Sequence, residues 1–157
     1  MKLKNWKVYA IWIGICEAVG LLAGLLSRQG TELYNALIVK PAFSPPSWIF
    51  PVVWTALYAL MGISAARIFL SPQSKERSWG LNLFVAQLIV NFFWPLIFFN
   101  AQAFGFALFW LILLWALVLV MILAFRKVDP LAAWLQVPYL LWLTFAAVLN
   151  GAVWLMN

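Results

Sequence analysis

The sequence has no histidine, a single cysteine and few charged residues. Without histidine it has no imidazole metal ligand, no His-ligated haem and no Ser–His or Cys–His nucleophile pair. Cys16 has no partner for an intramolecular disulfide. No acid pair stands in for these groups, so we expect no metal site, no obligatory cofactor and no ground-state acid–base catalysis.

The shortage of charge also excludes a soluble globule. Charged residues make up 9 % of the 157 residues and hydrophobic residues 67 %, whereas soluble domains carry about 25 % charged residues. Residues 78–125 contain no Asp, Glu, Lys or Arg. A helix needs about 20 residues to cross a bilayer, so this run holds two crossings. A membrane β-barrel would alternate apolar and polar residues. In this run both the odd-numbered and the even-numbered positions are mostly apolar.

These features predict an all-α membrane protein with one domain over residues 1–157. We expect a bundle of five transmembrane helices and a structured loop between the first two, at residues 27–47. The predicted spans cover residues 6–26, 48–70, 79–99, 104–125 and 130–156.

Local signals refine the ends of these helices. Ser47 is a candidate N-cap for the second span. Pro95 should kink or loosen the end of the third span. Asp129 followed by Pro130 is typical of a helix start, since Asp caps free N–H groups and Pro fits the first turn.

The basic residues lie mostly on one side of the predicted membrane. The positive-inside rule then places the N-terminus in the cytoplasm and the long loop and C-terminus outside. Because the basic residues are scattered over membrane-edge turns, they favour contact with membrane lipid and do not indicate a nucleic-acid site. The crowded side carries Lys2, Lys4, Lys7, Arg67, Lys75, Arg77, Arg126 and Lys127, and the other side carries Arg28 and Lys40.

Polar and aromatic residues within the spans indicate an internal cavity. Trp54 and Tyr58 share one helix face. Trp94 lies in a stripe with Asn91, and Trp142 lies in a stripe with Asn150. We expect these four rings to form the aromatic walls of the cavity. The amides of Gln87, Asn91 and Asn150 should point into the bundle, because amides are costly against lipid. Two interpretations remain open: the amides line a cavity for a large, flat, apolar ligand, or they only join helices.

Three further features have alternative interpretations. Glu17 is an acid in the middle of the first span, and it is either a functional group or a carboxyl bonded to a neighbouring helix. Gly20 and Gly24 form a GxxxG pattern that permits close helix contact. The proline-rich stretch 41–46 is too stiff for helix, and it forms either a lid over the bundle or a plain linker.

Several ordered motifs resemble the TspO/MBR family of tryptophan-rich sensory proteins, which are similar to the mitochondrial translocator protein (peripheral benzodiazepine receptor). The resemblance covers about residue 18 to the C-terminus. The motifs are Lys40-Pro41-x-Phe43-x-Pro45-Pro46-x-Trp48, Pro51-x-x-Trp54-Thr55-x-x-Tyr58, Gln87-x-x-x-Asn91-x-x-Trp94-Pro95 and Pro138-Tyr139-Leu140-x-Trp142-x-x-Phe145-Ala146-x-x-Leu149-Asn150.

The resemblance implies a tetrapyrrole such as protoporphyrin IX as ligand, bound beneath the first loop, and a homodimer in a bacterial-type inner membrane. It also ties Trp54 and Trp142 to light-driven breakdown of the porphyrin, as the candidate catalytic residues. The family pocket positions map to Ala23, Leu26, Phe50, Pro51, Val53, Phe106, Phe109, Leu113, Ala146 and Leu149. Motif positions and helix spacing add Phe43, Trp48, Trp54, Tyr58, Asn91, Trp94 and Trp142 as ligand-binding candidates.

Some positions depart from the family pattern. Phe106 stands where a pocket Trp is usual, and Phe109 replaces a small residue. Gly151 and Leu155 break the cholesterol motif of eukaryotic relatives. We therefore expect a porphyrin-binding protein for sensing, regulation or transport, ahead of a photo-oxidative enzyme and ahead of a transporter of hydrophobic solutes, sterol or lipid.

Overall fold

The computed structural model describes residues 5–157. The chain is helical nearly throughout, and the described residues form no strand. The elements are α1 (Trp6–Leu26), α2 (Arg28–Leu37), α3 (Ile49–Phe69), α4 (Lys75–Pro95), a π-helical turn (Leu96–Asn100), α5 (Phe104–Arg126), α6 (Pro130–Leu135) and α7 (Val137–Met156).

Five stretches in the described part are long and apolar enough to cross a membrane, which confirms the predicted fold class. They run alternately up and down: α1 packs on α3, α4 on α5, and α5 on α7. Large apolar side chains also cover the outside of the bundle; Phe109, for example, is 69 % exposed. A surface of this kind requires lipid around it.

The prediction of a continuous loop at residues 27–47 is wrong in its first half. Residues Arg28–Leu37 form α2, which buries Gly30 and Tyr34 on one face. Arg28 and Glu32 lie on its exposed face as an i, i+4 ion pair. Its glycine and charges resemble loop composition, but the charges belong to the solvent side of a short amphipathic helix. After Leu37 the backbone is no longer helical: Ile38 is extended, and turns close between Pro41 and Ser44 and between Pro46 and Ile49.

The predicted helix ends were partly correct. Asp129 Oδ1 accepts a hydrogen bond from the Leu131 N–H, and Pro130 begins α6. Pro95 ends α4, where the helix widens into the π turn, because proline removes one backbone N–H donor. Ser47 does not cap α3, whose N-cap residue is Trp48.

Two spans differ from the prediction in extent. The third begins at Lys75, four residues before the predicted start, because Ser74 caps it by accepting a hydrogen bond from the Arg77 N–H. The fifth is broken at Gln136 into α6 and α7, just before Pro138.

The end of the bundle where α3 and α5 end and α4 and α6 begin is joined by polar contacts, and we call it the base. The guanidinium of Arg67 on α3 lies 2.8 Å from the carboxylate of Asp129. The Ser64 hydroxyl donates to the Ala132 carbonyl at 2.7 Å. These bonds hold α6 against α3.

Candidate ligand-binding cavity

A cavity of about 750 Å³ occupies the end of the bundle opposite the base. This volume is in the range of sites for drug-sized ligands and cofactors, about 300–1,000 Å³. The spans contribute Glu17, Gly20, Leu21, Ala23, Gly24, Leu25, Phe50, Pro51, Trp54, Thr55, Tyr58, Asn91, Trp94, Pro95, Leu111, Leu114, Trp142, Ala146, Leu149 and Asn150 to its wall. The mouth and upper rim contribute Ser27, Arg28, Thr31, Glu32, Tyr34, Asn35, Ser47, Phe98 and Phe99.

Aromatic rings form the inner walls of the cavity. The rings of Trp54 and Tyr58, one turn apart on α3, lie 5.6 Å apart between centroids. Across the cavity, Trp142 on α7 packs against Phe50 with centroids 5.8 Å apart. Trp94 stacks on Phe98 of the π turn at 4.9 Å. Such flat faces suit a planar apolar ligand.

Behind these rings, a chain of four buried side chains joins three spans. The Tyr58 hydroxyl donates to Asn91 Oδ1 at 2.8 Å. Asn91 Nδ2 donates to the Tyr139 hydroxyl at 2.6 Å, and this hydroxyl donates to Gln87 Oε1 at 2.8 Å. Each member fixes the next, so the polar edges of the cavity wall are held in place.

A second amide contact fixes the upper wall. Trp94 Nε1 donates to Asn150 Oδ1 at 3.2 Å, while Asn150 Nδ2 donates to the Phe104 carbonyl at 2.8 Å. The amides therefore both join helices and line a cavity, while a ligand in that cavity stays a prediction. Asn91 and Asn150 line the cavity and also join helices, whereas Gln87 only joins helices.

Gly20 brings α1 and α3 close enough to form this wall. A Cβ at Gly20 would overlap the ring of Tyr58, so a larger residue would push the two helices apart. Gly24, the second glycine of the GxxxG pattern, also lines the cavity. Gly20 therefore serves a helix contact inside this chain, whereas Gly24 is exposed and packs against no neighbouring helix.

The mouth of the cavity is formed by α2. Tyr34 is buried against the π turn, with its ring centroid 5.2 Å from those of Phe98 and Phe99. Burial raises the pKa of the Tyr34 phenol. From segment 38–48 only Ser47 reaches the cavity. The predicted position of the cavity under the Pro41–Pro46 stretch is thus corrected: α2 covers it, and the prolines lie to one side.

The structure brings ten of the seventeen predicted ligand-binding residues into the cavity wall. They come from four spans and include all four aromatic walls expected from spacing. These residues are Ala23, Phe50, Pro51, Trp54, Tyr58, Asn91, Trp94, Trp142, Ala146 and Leu149.

The other seven do not line the cavity. Val53 is half-buried in the helix packing. Phe43 is half-exposed and packs edge-on against Phe145, 6.4 Å between centroids. The remaining five lie on the exposed outer surface: Leu26, Trp48, Phe106, Phe109 and Leu113.

The turn of α5 explains three of these positions. Its buried face carries Ala107, Leu111 and Leu114. Residues 106, 109 and 113 lie to the side of that face, because successive helix residues are rotated by about 100°. Leu111 and Leu114 line the cavity and were missed. Since α5 is apolar all round, its sequence carried no signal to tell the two faces apart.

The fold and the site define a polytopic α-helical membrane protein with an aromatic internal cavity. Its residues 12–155 match the TspO/MBR family. The chain is 37 % identical to the tryptophan-rich protein TspO of Chlorobaculum tepidum, over 94 % of each chain. It is 36 % identical to the protein CrtK of Rhodobacter capsulatus, over 96 % of this chain and 92 % of that protein. It is 41 % identical to the translocator protein of Sus scrofa, over 87 % and 84 %. The chain therefore belongs to the TspO/MBR family and is a multi-pass integral membrane protein.

Proposed function

We propose that the cavity binds a tetrapyrrole of the protoporphyrin IX class, and that the protein uses this binding in sensing, regulation or transport. The observation that carries the proposal is the cavity itself, about 750 Å³ with indole and phenol rings in its wall. A flat macrocycle would stack on these rings. The carboxylates of such a ligand would stay near the mouth, where Arg28 lies.

Titration with protoporphyrin IX tests the proposal. Binding should quench tryptophan fluorescence saturably, and Trp142→Ala should weaken the affinity by about tenfold through lost stacking, worth about 1 kcal/mol or more. The matched control is Trp134→Ala on α6, because that ring is 70 % exposed and lies outside the cavity wall. Quenching that does not saturate, or equal affinity in both variants, would refute the proposal.

A second candidate function is light-driven oxidation of the bound porphyrin, with dioxygen as the oxidant. One arrangement favours it: oxidisable rings continue inward from the cavity, with Trp54 5.6 Å from Tyr58 and 6.2 Å from Tyr139 between centroids. The excited porphyrin would take an electron from an indole and pass it to dioxygen, and the superoxide so formed would attack the macrocycle. The phenols would return an electron to the oxidised indole. Trp54 and Trp142 are its candidate residues.

Illumination with and without dioxygen tests this candidate, with the loss of porphyrin absorbance as the readout. The Trp54→Phe, Trp142→Phe double variant should bleach bound porphyrin more slowly than the wild type. The comparison is made at porphyrin saturation, so that weaker binding does not count as slower chemistry. An equal bleaching rate in both proteins would show that the two indoles take no part in the photochemistry.

We also propose the orientation and assembly predicted from charge and resemblance, a cytoplasmic base and a homodimer. The base carries Arg67, Lys75 and Arg126, whereas the mouth has Arg28 paired with Glu32. Single cysteines tested for labelling by a membrane-impermeant thiol reagent will show the orientation. They are placed in the 71–74 turn or in segment 38–48 of a Cys16→Ala protein. Light scattering in detergent tests the dimer.

A further inference from the structure

Glu17 places a carboxyl group in a part of the cavity wall that carries no other charged residue. It lies near the middle of α1, one turn before Gly20, and lines the cavity beside Tyr58. Within residues 5–157 no hydrogen bond or ion pair reaches this carboxyl. The hydroxyl of Tyr58 is not available as a donor, because it donates to Asn91.

The other charges on the cavity wall lie at the mouth. Arg28 and Glu32 on α2 lie 3.7 Å apart and are both exposed, so they neutralise each other there. Glu17 is ten residues before Ser27, which places it about 15 Å deeper along the helix axis. The interior of the cavity thus carries one acid and no base. A single acid at membrane depth costs free energy unless something pairs with it.

We propose that Glu17 makes this cavity a site for cationic amphiphiles: molecules with a protonated amine on a flat, apolar body. The ammonium group would meet the Glu17 carboxylate, and the apolar body would lie against the ring of Trp54. The faces of aromatic rings attract cations as well. The ion pair would form in low dielectric, where it is stronger than in water.

The inference uses the cavity of the proposed function but does not require tetrapyrrole binding. The two ligand classes carry opposite charges and should respond to Glu17 in opposite ways. An anionic tetrapyrrole must keep its carboxylates away from Glu17, at the mouth. A cationic amphiphile needs Glu17 at its charged end.

A pair of isosteric probes tests the inference. One is 2-(2-naphthyl)ethyl-dimethylamine, which is protonated at pH 7, and the other is a neutral ether with the same skeleton, 2-naphthylmethyl isopropyl ether. Affinities are measured by calorimetry on full-length protein in nanodiscs of neutral lipid. The partition of each probe into lipid is measured with empty nanodiscs and subtracted, so that the two probes can be compared in the same protein. Protoporphyrin IX is titrated into the same samples.

In the wild type the amine should bind at least about tenfold more tightly than the ether, the scale of a desolvated charge pair. Glu17→Gln should remove this preference by weakening the amine alone, while the affinity for protoporphyrin IX rises. The control is Glu76→Gln, the same change on α4 at the base, outside the cavity, which should alter neither affinity.

Equal affinity for the amine and the ether in the wild type would overturn the inference, and this result needs no variant to fold. A preference that survives Glu17→Gln would also overturn it. Failure of protoporphyrin IX to bind would instead count against the proposed function, since the amine is read out independently. Should Glu17→Gln not fold, Glu17→Asp must keep the preference for the amine.

Discussion

The base and the cavity end of this bundle are built from the same kinds of residue but pack differently. At the base, Phe84 and Phe125 are fully buried and stacked, with centroids 6.5 Å apart. At the cavity end, Trp54 and Trp142 are only partly covered by neighbouring side chains. Both ends are rich in aromatic rings, so hydropathy does not distinguish them.

The difference comes from small residues and from hydrogen bonds. At the base, Ala65 and Ala66 are fully buried, and Gly80 makes room for the ring of Phe125, which would lie 3.1 Å from a Cβ there. At the cavity end, the bonds among Tyr58, Asn91 and Tyr139 hold the walls in place and keep them from collapsing inward. In lipid, packing and hydrogen bonds decide how helices associate, because apolar side chains gain little by leaving lipid for protein.

The largest expected effect comes from opening a gap at the base. Phe125→Ala removes a fully buried ring and should lower the free energy of unfolding by about 2 to 3 kcal/mol, mainly through the cavity it leaves. Porphyrin affinity of the folded fraction should not change, because Phe125 lies at the opposite end. Unfolding in SDS, followed by circular dichroism, measures the loss.

Leu123→Ala is the control for this change. Leu123 lies on the same helix but is 51 % exposed, so it faces lipid and its removal leaves no gap. A loss of stability as large as that of Phe125→Ala would contradict the view that tight packing sets the base apart.

A smaller effect is expected from the buried hydrogen-bond chain at the cavity. Tyr139→Phe removes the hydroxyl that accepts from Asn91 and donates to Gln87. Two buried amide groups then lose a partner, and the free energy of unfolding should fall by about 1 to 2 kcal/mol. Porphyrin affinity should fall as well, since Asn91 and Tyr58 would no longer be fixed.

Tyr34→Phe is the matched control for Tyr139→Phe, because it also removes one phenol hydroxyl. Within the described residues the Tyr34 hydroxyl makes no hydrogen bond, and the ring packing on Phe98 would be kept. Its stability should stay within about 0.5 kcal/mol of the wild type. If both variants lost the same stability, the network would not be what holds the cavity end.

Features with a local physical cause could be predicted from the sequence. Asp129 followed by Pro130 fixed a helix start, and Pro95 fixed a helix end, because capping and the missing N–H act within one turn. The amides of Asn91 and Asn150 pointed inward because lipid penalises them. Four aromatic walls followed from their spacing relative to these amides.

Features that depend on contacts far apart in sequence could not be predicted. The helix α2 is held by Tyr34 on Phe98 and Phe99, more than sixty residues away. The inward face of α5 is set by its neighbours, since every side of that helix is apolar. The resemblance placed Phe106 and Phe109 at ligand positions, whereas the structure has them 55 % and 69 % exposed. Whether any wall residue contacts a ligand stays a prediction.

The smallest expected effect concerns the segment beside the cavity mouth. The side chain of Asn157 bonds both backbone groups of Val39: its Nδ2 donates to the Val39 carbonyl at 2.8 Å, and its Oδ1 accepts from the Val39 N–H at 3.1 Å. Asn157→Ala breaks both bonds. Because the site is exposed, water replaces them, and stability should fall by only about 0.5 kcal/mol.

The segment that follows α2 would be less restrained in Asn157→Ala, so bound porphyrin should dissociate about two- to threefold faster, as measured by stopped-flow fluorescence. Met156→Ala, one residue earlier and also exposed, should leave the dissociation rate unchanged. If Asn157→Ala released porphyrin no faster than Met156→Ala, motion of this segment would not limit release. The route out of the cavity would then lie between the helices, on the lipid side of Gly24.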